Sequence, residues 1–256
     1  IGSDITVGVH ASQLKTLGKV VLYIDIGTNG EIVLWDGDTL CSCSSAAGPA
    51  FEGASIKHGM AATAGAVDSV YHEYGVLSHT TIAGEEAIGL CGSAIIDCVA
   101  LLLDLQLIDE TGAMAEDDQL LVDTPDGKAL KITETVYFTN RDVREVQLAK
   151  AAIAAGIETL LAHAHLGPED LDAVVIAGGF GFSVNKDNAI RIGLLPSIAV
   201  EKILVVGNAA IRGAQAILMS GKTADEVERL RKDTQYIELS LSQAFQERYI
   251  EHMMFQ

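Results

Sequence analysis

The stretch that decides the fold reads Lys19-Val-Val-Leu-Tyr-Ile-Asp25-Ile-Gly27-Thr28-Asn29-Gly30-Glu-Ile-Val-Leu-Trp35. Two runs within it, Val20 to Ile24 and Ile32 to Trp35, are rich in the β-branched and aromatic residues that favour strands. Between them lies an acidic, glycine-rich segment. The pattern predicts a β-hairpin whose tip reverses through glycines that adopt positive φ where the turn needs it.

The tip of this hairpin carries groups that suit a phosphate. Successive backbone N–H groups from Gly27 to Gly30 form a concavity for an anion, and the side chains of Thr28 and Asn29 add donors. Asp25, at the end of the first strand, is placed to hold a hydrated Mg²⁺ against phosphate oxygens. Two hypotheses follow from this stretch alone: a phosphate-binding loop, or a solvated hairpin with an ordinary Asn-Gly turn.

The composition favours a globular protein with a sizeable core. The chain has 256 residues, of which 49% are hydrophobic and 20% charged, and no apolar run approaches the ~20 residues of a membrane span. With 17 Lys and Arg against 35 Asp and Glu, its net charge of −18 argues against nucleic acid and anionic membranes as partners. A phosphate would therefore be held by backbone N–H groups, helix N-termini and a divalent cation. The start at Ile1, without Met or a signal-peptide pattern, predicts a fragment of a longer cytoplasmic protein.

The four cysteines match no structural zinc site. They form one Cys-x-Cys pair, Cys41 and Cys43, and a second pair seven residues apart, Cys91 and Cys98. Free cysteine is among the most buried residue types, so we expect buried thiols rather than metal or cluster ligands.

The remaining pattern predicts alternating strands and helices. A third strand from Thr39 to Ser45 leads into a loop rich in Gly, Pro and Ala that contains Glu52, whereas the acidic residues 109–128 are predicted to form a loop. Buried strands at Ala173 to Ala177 and Ile203 to Val206 are each followed by glycine and a helix. The predicted helix caps are Ser93, Thr139 or Asn140, and Ser240.

The long helix predicted from residue 139 or 140 to about His165 has a polar face that could serve a ligand. Arg144, Gln147 and Lys150 stand at i, i+3 and i+6, about one turn apart, so they can reach a common ligand. The alternative is a solvated polar face.

Taken together, these motifs occur in the order used by the superfamily of actin, sugar kinases and heat-shock chaperones. Within it, the chain most resembles the C-terminal domain of reductive activators of corrinoid proteins, and the resemblance covers nearly the whole chain. The segments that carry it are Asp25 to Leu34, Cys43 to Gly53, Gly89 to Ser93, Asp142 to Lys150, Ile176 to Gly181 and Gly207 to Gly213.

The resemblance implies a fold and a site. The fold is an α/β, actin-like (ribonuclease H-like) ATPase lobe: a mixed sheet with flanking helices. Residues 1–256 would be one domain of a longer protein, with a subdomain inserted around 85–165, and both the upstream lobe and the iron-sulfur domain would lie outside this sequence. The implied site residues are Asp25 and Glu52 for catalysis, with Asp25 holding Mg²⁺ through water; Gly27, Thr28, Asn29 and Gly30 for phosphate; Gln147, Lys150, Gly178, Gly179 and Phe180 for adenosine; and Gly207 and Asn208 on the helix that crosses to the partner lobe.

The resemblance also implies a function. Such activators use ATP to return Co(II) corrinoid proteins to Co(I), so we expect ATP and Mg²⁺ as ligands, a corrinoid protein as partner, and a [2Fe-2S] cluster only in the upstream domain. A homodimer is left open, and the isolated fragment should be inactive. The alternatives are an activator of a dehydratase or another low-potential enzyme, a small-molecule kinase with Glu52 as its base, and a non-catalytic interaction domain.

Overall fold

A computed structural model of the chain describes residues 2–179 and 184–255. Its helices are α1 (Ser3–Ala11), α2 (Gly92–Asp104), α3 (Asn140–His163), α4 (Lys186–Arg191), α5 (Ala209–Met219), α6 (Gly221–Asp233) and α7 (Gln243–His252). Its strands are β1 (Val21–Ile26), β2 (Gly30–Trp35), β3 (Leu40–Ser45), β4 (Ala66–Glu73), β5 (Val76–Thr81), β6 (Gly89–Leu90), β7 (Leu121–Thr124), β8 (Gly127–Lys131), β9 (Tyr137–Thr139), β10 (Ala173–Gly178), β11 (Ile203–Gly207) and β12 (Thr234–Tyr236).

The largest sheet has six strands in the order β11-β10-β1-β2-β3-β12. The first three strands of the chain form an antiparallel meander, β10 and β11 run parallel to β1, and β12 runs parallel to β3. β1 and β10 are near-continuous apolar runs because helices cover both faces of the sheet at its centre. This arrangement confirms the predicted α/β fold, a mixed sheet with flanking helices.

Alternate residues of β1 enter two separate cores. Leu22, Ile24 and Ile26 point to the face covered by α2 and α3, whereas Val21 and Tyr23 point to the face covered by α1 and α5. This is the period of two expected of a strand buried on both sides. The sheet thus separates a large core from a smaller one. Both cores contain residues of the β1–β2 hairpin that was predicted from sequence.

The predicted caps are right for one helix and wrong for two. Thr139 caps α3 in a capping box with Asp142. The N-cap of α2 is Cys91 and not Ser93, because the Ser93 hydroxyl instead donates to the carbonyl of Asp68 at 2.6 Å. The cap of α7 is Ser242 and not Ser240, whose hydroxyl donates to a neighbouring carboxylate.

The chain between β3 and α3 forms two small three-stranded sheets. One has the order β5-β4-β6 and the other β7-β8-β9. The prediction of a loop for residues 109–128 is wrong at its end, where β7 pairs with β8 through a turn at Gly127 with positive φ. The subdomain around residues 85–165 stays a prediction, and α3, which falls in that range, packs on β2 and β3 of the large sheet.

All four cysteines are buried free thiols, which confirms that prediction. Burial raises the pKa of Cys41 to about 11 and raises those of Cys43 and Cys98 as well. Within residues 2–179 and 184–255 there is no group of three or more metal-ligating side chains. The same residues contain no helix that combines the length and apolar character needed to cross a membrane.

Candidate functional site

The predicted site residues of β1 and β10 lie side by side at one edge of the large sheet. The strands are parallel, and their register pairs Asp25 with Ala177 and Ile26 with Gly178. The hairpin tip therefore leaves the sheet next to the turn at Gly178 and Gly179. Carboxyl ends of adjacent parallel strands are where ligands bind in α/β sheets.

The hairpin tip reverses without any residue at positive φ, so the expectation of left-handed glycines there is wrong. Thr28 and Asn29 are exposed, and the tip is held by bonds from the Gly27 N–H to the Asn29 carbonyl (3.1 Å) and from the Gly48 N–H to the Thr28 carbonyl (2.8 Å). Gly30 is buried instead, where a Cβ would lie 2.7 Å from a side-chain carbon of Ile153. Glycine at this position therefore allows β2 to pack closely against α3.

Asp25 is half-buried on the face of the sheet that α1 covers. The Tyr23 hydroxyl donates to its carboxylate at 3.2 Å. Burial raises the pKa of Asp25, with the Tyr23 bond opposing and the negative charge of Asp4 adding to the rise. Burial, together with Asp4 and Asp25, also raises the pKa of Glu31. Tyr23, Asp4 and Glu31 were missed from sequence, although Tyr23 stands two residues before Asp25 and so shares its face of the strand.

Glu52 reaches the hairpin tip from the loop after β3. The Thr28 hydroxyl donates to its carboxylate at 2.6 Å. Glu52 also lines a cavity of about 190 Å³ together with Gly179 and the first residues of α2, Gly92 and Ser93. The cavity thus joins the loop, the Gly178–Gly179 turn and a helix N-terminus, whose free N–H groups favour an anion.

The two glycines after β10 differ in what surrounds them. Gly178 has φ +111°, and a Cβ there would lie 2.3 Å from the Ile26 carbonyl oxygen, so only glycine fits. Gly179 is exposed, and no atom of the described residues beyond its chain neighbours comes within 4 Å of the position that a Cβ would take. The described residues therefore leave the space beside Gly179 open. Phe180, the next predicted adenosine residue, lies outside the described residues.

A second cavity lies further along α2, against the start of α4. It measures about 270 Å³ and is lined by Asp97 and Asp104 of α2 and by Asn185 and Asn188 at the start of α4. Asp97 accepts from the Asn188 amide at 2.7 Å, and its pKa is raised by burial, against the effect of that bond. Sequence reasoning did not nominate these residues, because the two helices meet only in the fold.

Gln147 and Lys150 line neither of these two cavities. The Gln147 amide donates to the carbonyls of Thr111 (3.0 Å) and Met253 (2.9 Å), and the Lys150 ammonium donates to the carbonyl of Met254 (2.7 Å). Both side chains are buried against the last described residues of the chain, whereas Arg144, the third residue of the predicted polar face, is exposed, so the three do not point to one common environment. Their contact with adenosine stays a prediction, which requires them to exchange these partners.

Gly207 and Asn208 start α5, the helix that packs on α1. Gly207 has φ +63°, and the Asn208 side chain caps the helix by accepting from the Ile211 N–H at 2.9 Å. Further along, a Cβ at Gly213 would lie 2.2 Å from the Val7 carbonyl oxygen. The two helices therefore cross in close backbone contact.

Three known proteins are similar over nearly all of this chain. The corrinoid activation enzyme RamQ of Eubacterium limosum is 37% identical over an alignment of 254 residues, gaps included. The alignment covers 93% of this chain and 43% of that protein. The [Co(II) methylated amine-specific corrinoid protein] reductase of Methanosarcina barkeri is 29% identical over 98% of this chain and 48% of its own. A solved structure, the reductive activator for a corrinoid, iron-sulfur protein, matches with a TM-score of 0.94 and 38% identity over 100% of this chain and 42% of that one.

The chain thus spans less than half the length of these relatives. The family described as the C-terminal domain of RACo, the ASKHA domain, matches residues 19–256. This range contains the hairpin, the Gly178–Gly179 turn and α5, the elements that form the site. The chain therefore belongs to the family of C-terminal ASKHA domains of RACo.

Proposed function

We propose that this chain is the nucleotide-binding C-terminal domain of an ATP-dependent activator that returns a corrinoid protein from Co(II) to Co(I). The observation that carries the proposal is the placement of Asp25, the exposed tip at Thr28 and Asn29, and the open space beside Gly179 at one edge of the sheet. The relatives, which are named for corrinoid activation and for reduction of a Co(II) corrinoid protein, supply the acceptor.

The residues at this edge fit ATP. The backbone N–H groups of the exposed residues Thr28 and Asn29 suit phosphate oxygens, and the Thr28 hydroxyl would exchange its bond to Glu52 for one to phosphate. The space at Gly179 would admit a ring close to the backbone, and the cavity that Gly179 lines also reaches Glu52 and the N-terminus of α2. We place the adenosine beside Gly178 and Gly179 and the phosphates at the tip.

They also fit Mg²⁺ held mainly through water. Mg²⁺ keeps several waters and needs only one or two protein carboxylates beside the phosphates. Asp25 offers one carboxylate that Tyr23 orients, and the nearby charges of Asp4 and Glu31 add negative potential. The ion would neutralise phosphate charge. By contrast, the buried thiols do not fit a [2Fe-2S] cluster, and we assign that group to the part of the activator upstream of this chain.

Nucleotide binding would act through the crossing of α1 and α5. A ligand shifts a conformational equilibrium only by its different affinity for the two states. A cleft between this domain and an upstream lobe supplies two such states, open and closed. The close crossing at Gly213 is the element that we expect to carry the motion to the other lobe.

The Asp25→Ala variant of the full-length protein tests the proposal. Mg²⁺-dependent ATP hydrolysis and the absorbance change of the corrinoid from Co(II) to Co(I) should both be abolished, because the water-held cation loses its carboxylate. Asp38→Ala is the control, since Asp38 is an exposed acid in another turn. Unchanged hydrolysis in Asp25→Ala with an intact circular-dichroism spectrum would remove the hairpin from the site.

The same assay separates the alternatives. Glu52, which lies against Thr28 at the phosphate end, is the base that a small-molecule kinase would use. Transfer of labelled γ-phosphate to a small acceptor would favour the kinase. Reduction of a dehydratase, and not of a corrinoid protein, would favour an activator of a dehydratase. Absence of nucleotide binding by the full-length protein would favour an interaction domain.

A further inference from the structure

Lys150 is a buried cation that forms no ion pair with any described residue. The residue is 1% exposed, and its ammonium has two contacts among the described residues: the hydrogen bond to the Met254 carbonyl and the ring of Phe255, whose centroid is 5.0 Å away. No carboxylate of the described residues lies within ion-pair distance of it. An ammonium has three donors, so two are left for another partner. Desolvation by burial lowers the pKa of Lys150 to about 8.

Lys150 lines a cavity of about 240 Å³ that shares no residue with the two cavities along α2. Its walls are α3, α7 and the segment that follows α4. The lining is mostly apolar, and its apolar members are Ala154, Ile157, Leu161, Pro168, Ile190, Leu195 and Pro196. Gly193, with φ +74°, adjoins the ammonium, and a Cβ there would lie 3.4 Å from Nζ.

The other charged groups of this cavity neutralise one another. Glu158 of α3 pairs with His252 of α7 at 3.0 Å and with Arg248 at 3.6 Å. Glu158 stands eight residues, about two turns, after Lys150 on the same helix, so it does not serve the ammonium. The cavity therefore offers one unmatched positive charge beside an apolar wall.

We propose that this cavity binds a small organic carboxylate, with its carboxylate group on the Lys150 ammonium and its apolar body against Ile157, Leu161 and Leu195. A carboxylate would accept the free donors and supply the missing negative charge, and charge-assisted hydrogen bonds of this kind are the strong ones. The apolar lining favours a short aliphatic chain over inorganic phosphate. The volume lies below the roughly 300 Å³ at which pockets for drug-sized ligands begin, so the ligand is small.

The experiment measures the melting temperature of the full chain with butyrate, 1-butanol, butylamine and inorganic phosphate. A ligand that binds only the folded state raises that temperature by an amount that grows with the logarithm of its concentration above its dissociation constant. Butyrate should raise it, and the neutral and cationic analogues should not. The Lys150→Met variant should weaken the apparent affinity for butyrate by at least about tenfold, the effect of losing one charged hydrogen bond.

Two further variants and a pH series make the test specific. Lys222→Met removes the same charge from an exposed site and should leave the butyrate effect unchanged. Ala154→Leu fills the cavity while leaving the ammonium, and it should abolish the effect. Apparent affinity should fall as the pH rises above about 8, where Lys150 loses its proton. Stabilisation by phosphate but not butyrate, competition between butyrate and Mg-ADP, or an equal butyrate effect in Lys150→Met would each overturn the proposal.

Discussion

Adjacent glycines at the end of β10 do different things. Gly178 is required by the backbone, which takes φ +111° and passes within van der Waals distance of Ile26. Gly179 has no such constraint, since it is exposed and no atom of the described residues beyond its chain neighbours lies within 4 Å of its Cβ position. A side chain at Gly178 should therefore disturb the fold, whereas one at Gly179 should disturb only what binds there.

We expect Gly179→Val to block nucleotide binding by the full-length protein without loss of stability. The valine side chain would occupy the space that the adenosine needs, and its Cβ would meet no atom of the described residues beyond its chain neighbours within 4 Å. Isothermal titration calorimetry with Mg-ADP measures the affinity, and thermal unfolding measures the stability. Gly221→Val is the control, because Gly221 also faces open space but lies on α6, away from the site. Normal affinity in Gly179→Val would contradict the placement of adenosine.

Lys150 should make the stability of the chain depend on pH. Its pKa is about 8 in the fold against 10.5 when unfolded, so between these values the unfolded chain binds more protons and the free energy of unfolding rises with pH. The rise is at most roughly 3 kcal/mol, from about 1.4 kcal/mol per pKa unit. Urea unfolding from pH 7 to 10 of the wild type and Lys150→Met measures it. Parallel pH curves for the two proteins would show that Lys150 is not desolvated.

At the level of elements, the strands of the large sheet's centre were predicted well, and one of the small sheets was not. The existence and order of β1, β2, β3, β10 and β11 were predicted correctly, and short strands expected at residues 129–133 and 135–138 correspond to β8 and β9 with shifted ends. β4 and β5 were missed because both are half-exposed and rich in Ser, Thr and His, so they show little apolar alternation. The caps of α2 and α7 were misplaced because nearby serines bond elsewhere in the fold.

The site was predicted to a similar extent. Asp25, Thr28, Glu52 and Gly179 are brought together because strand register is set by local sequence. The polar residues between α2 and α4 could not be predicted, since they are distant in sequence and meet through the packing of two helices. The partners of Gln147 and Lys150 were missed for the same reason: they come from the end of the chain.

The crossing of α1 and α5 should be sensitive to one methyl group. Helix propensity alone favours alanine over glycine by up to about 1 kcal/mol, but a Cβ at Gly213 would lie 2.2 Å from the Val7 carbonyl oxygen. We expect Gly213→Ala to lower the free energy of unfolding by roughly 1–3 kcal/mol, the usual cost of overpacking. Gly221→Ala, on an open helical surface, should not destabilise. Equal effects of the two substitutions in urea unfolding would show that the helices can separate without cost.

For the molecule as a whole, the proposal makes this domain one side of a cleft. The hairpin tip and the Gly178–Gly179 turn, where we propose that phosphate and adenosine bind, share one sheet edge, and the chain spans less than half the length of its relatives. The two cores, in contrast, are closed by helices on both faces of the sheet. Folding should therefore need only residues 1–256, whereas tight nucleotide binding should need the full-length protein.

The isolated chain should be folded but should bind Mg-ATP weakly. A site shared by two lobes loses about half its contacts when one is missing, and each charged hydrogen bond lost costs about 1.5–3 kcal/mol, so a micromolar site becomes millimolar. Calorimetric titration of residues 1–256 beside the full-length protein tests this. Micromolar binding and rapid hydrolysis by the isolated chain would show that the cleft is complete within it and that the site is not divided between two lobes.

The buried thiols have a practical consequence for the study of motion. Alkylating reagents attack the exposed thiolate. Here all four thiols are buried, and burial also raises the pKa of Cys41, Cys43 and Cys98, so labelling requires the surrounding structure to open. Cys41 and Cys43 belong to β3 of the large sheet, and Cys91 and Cys98 to the start and middle of α2. The rates at which the two pairs are labelled therefore time the opening of the sheet and of the helical wall of the site separately, in the unmodified protein.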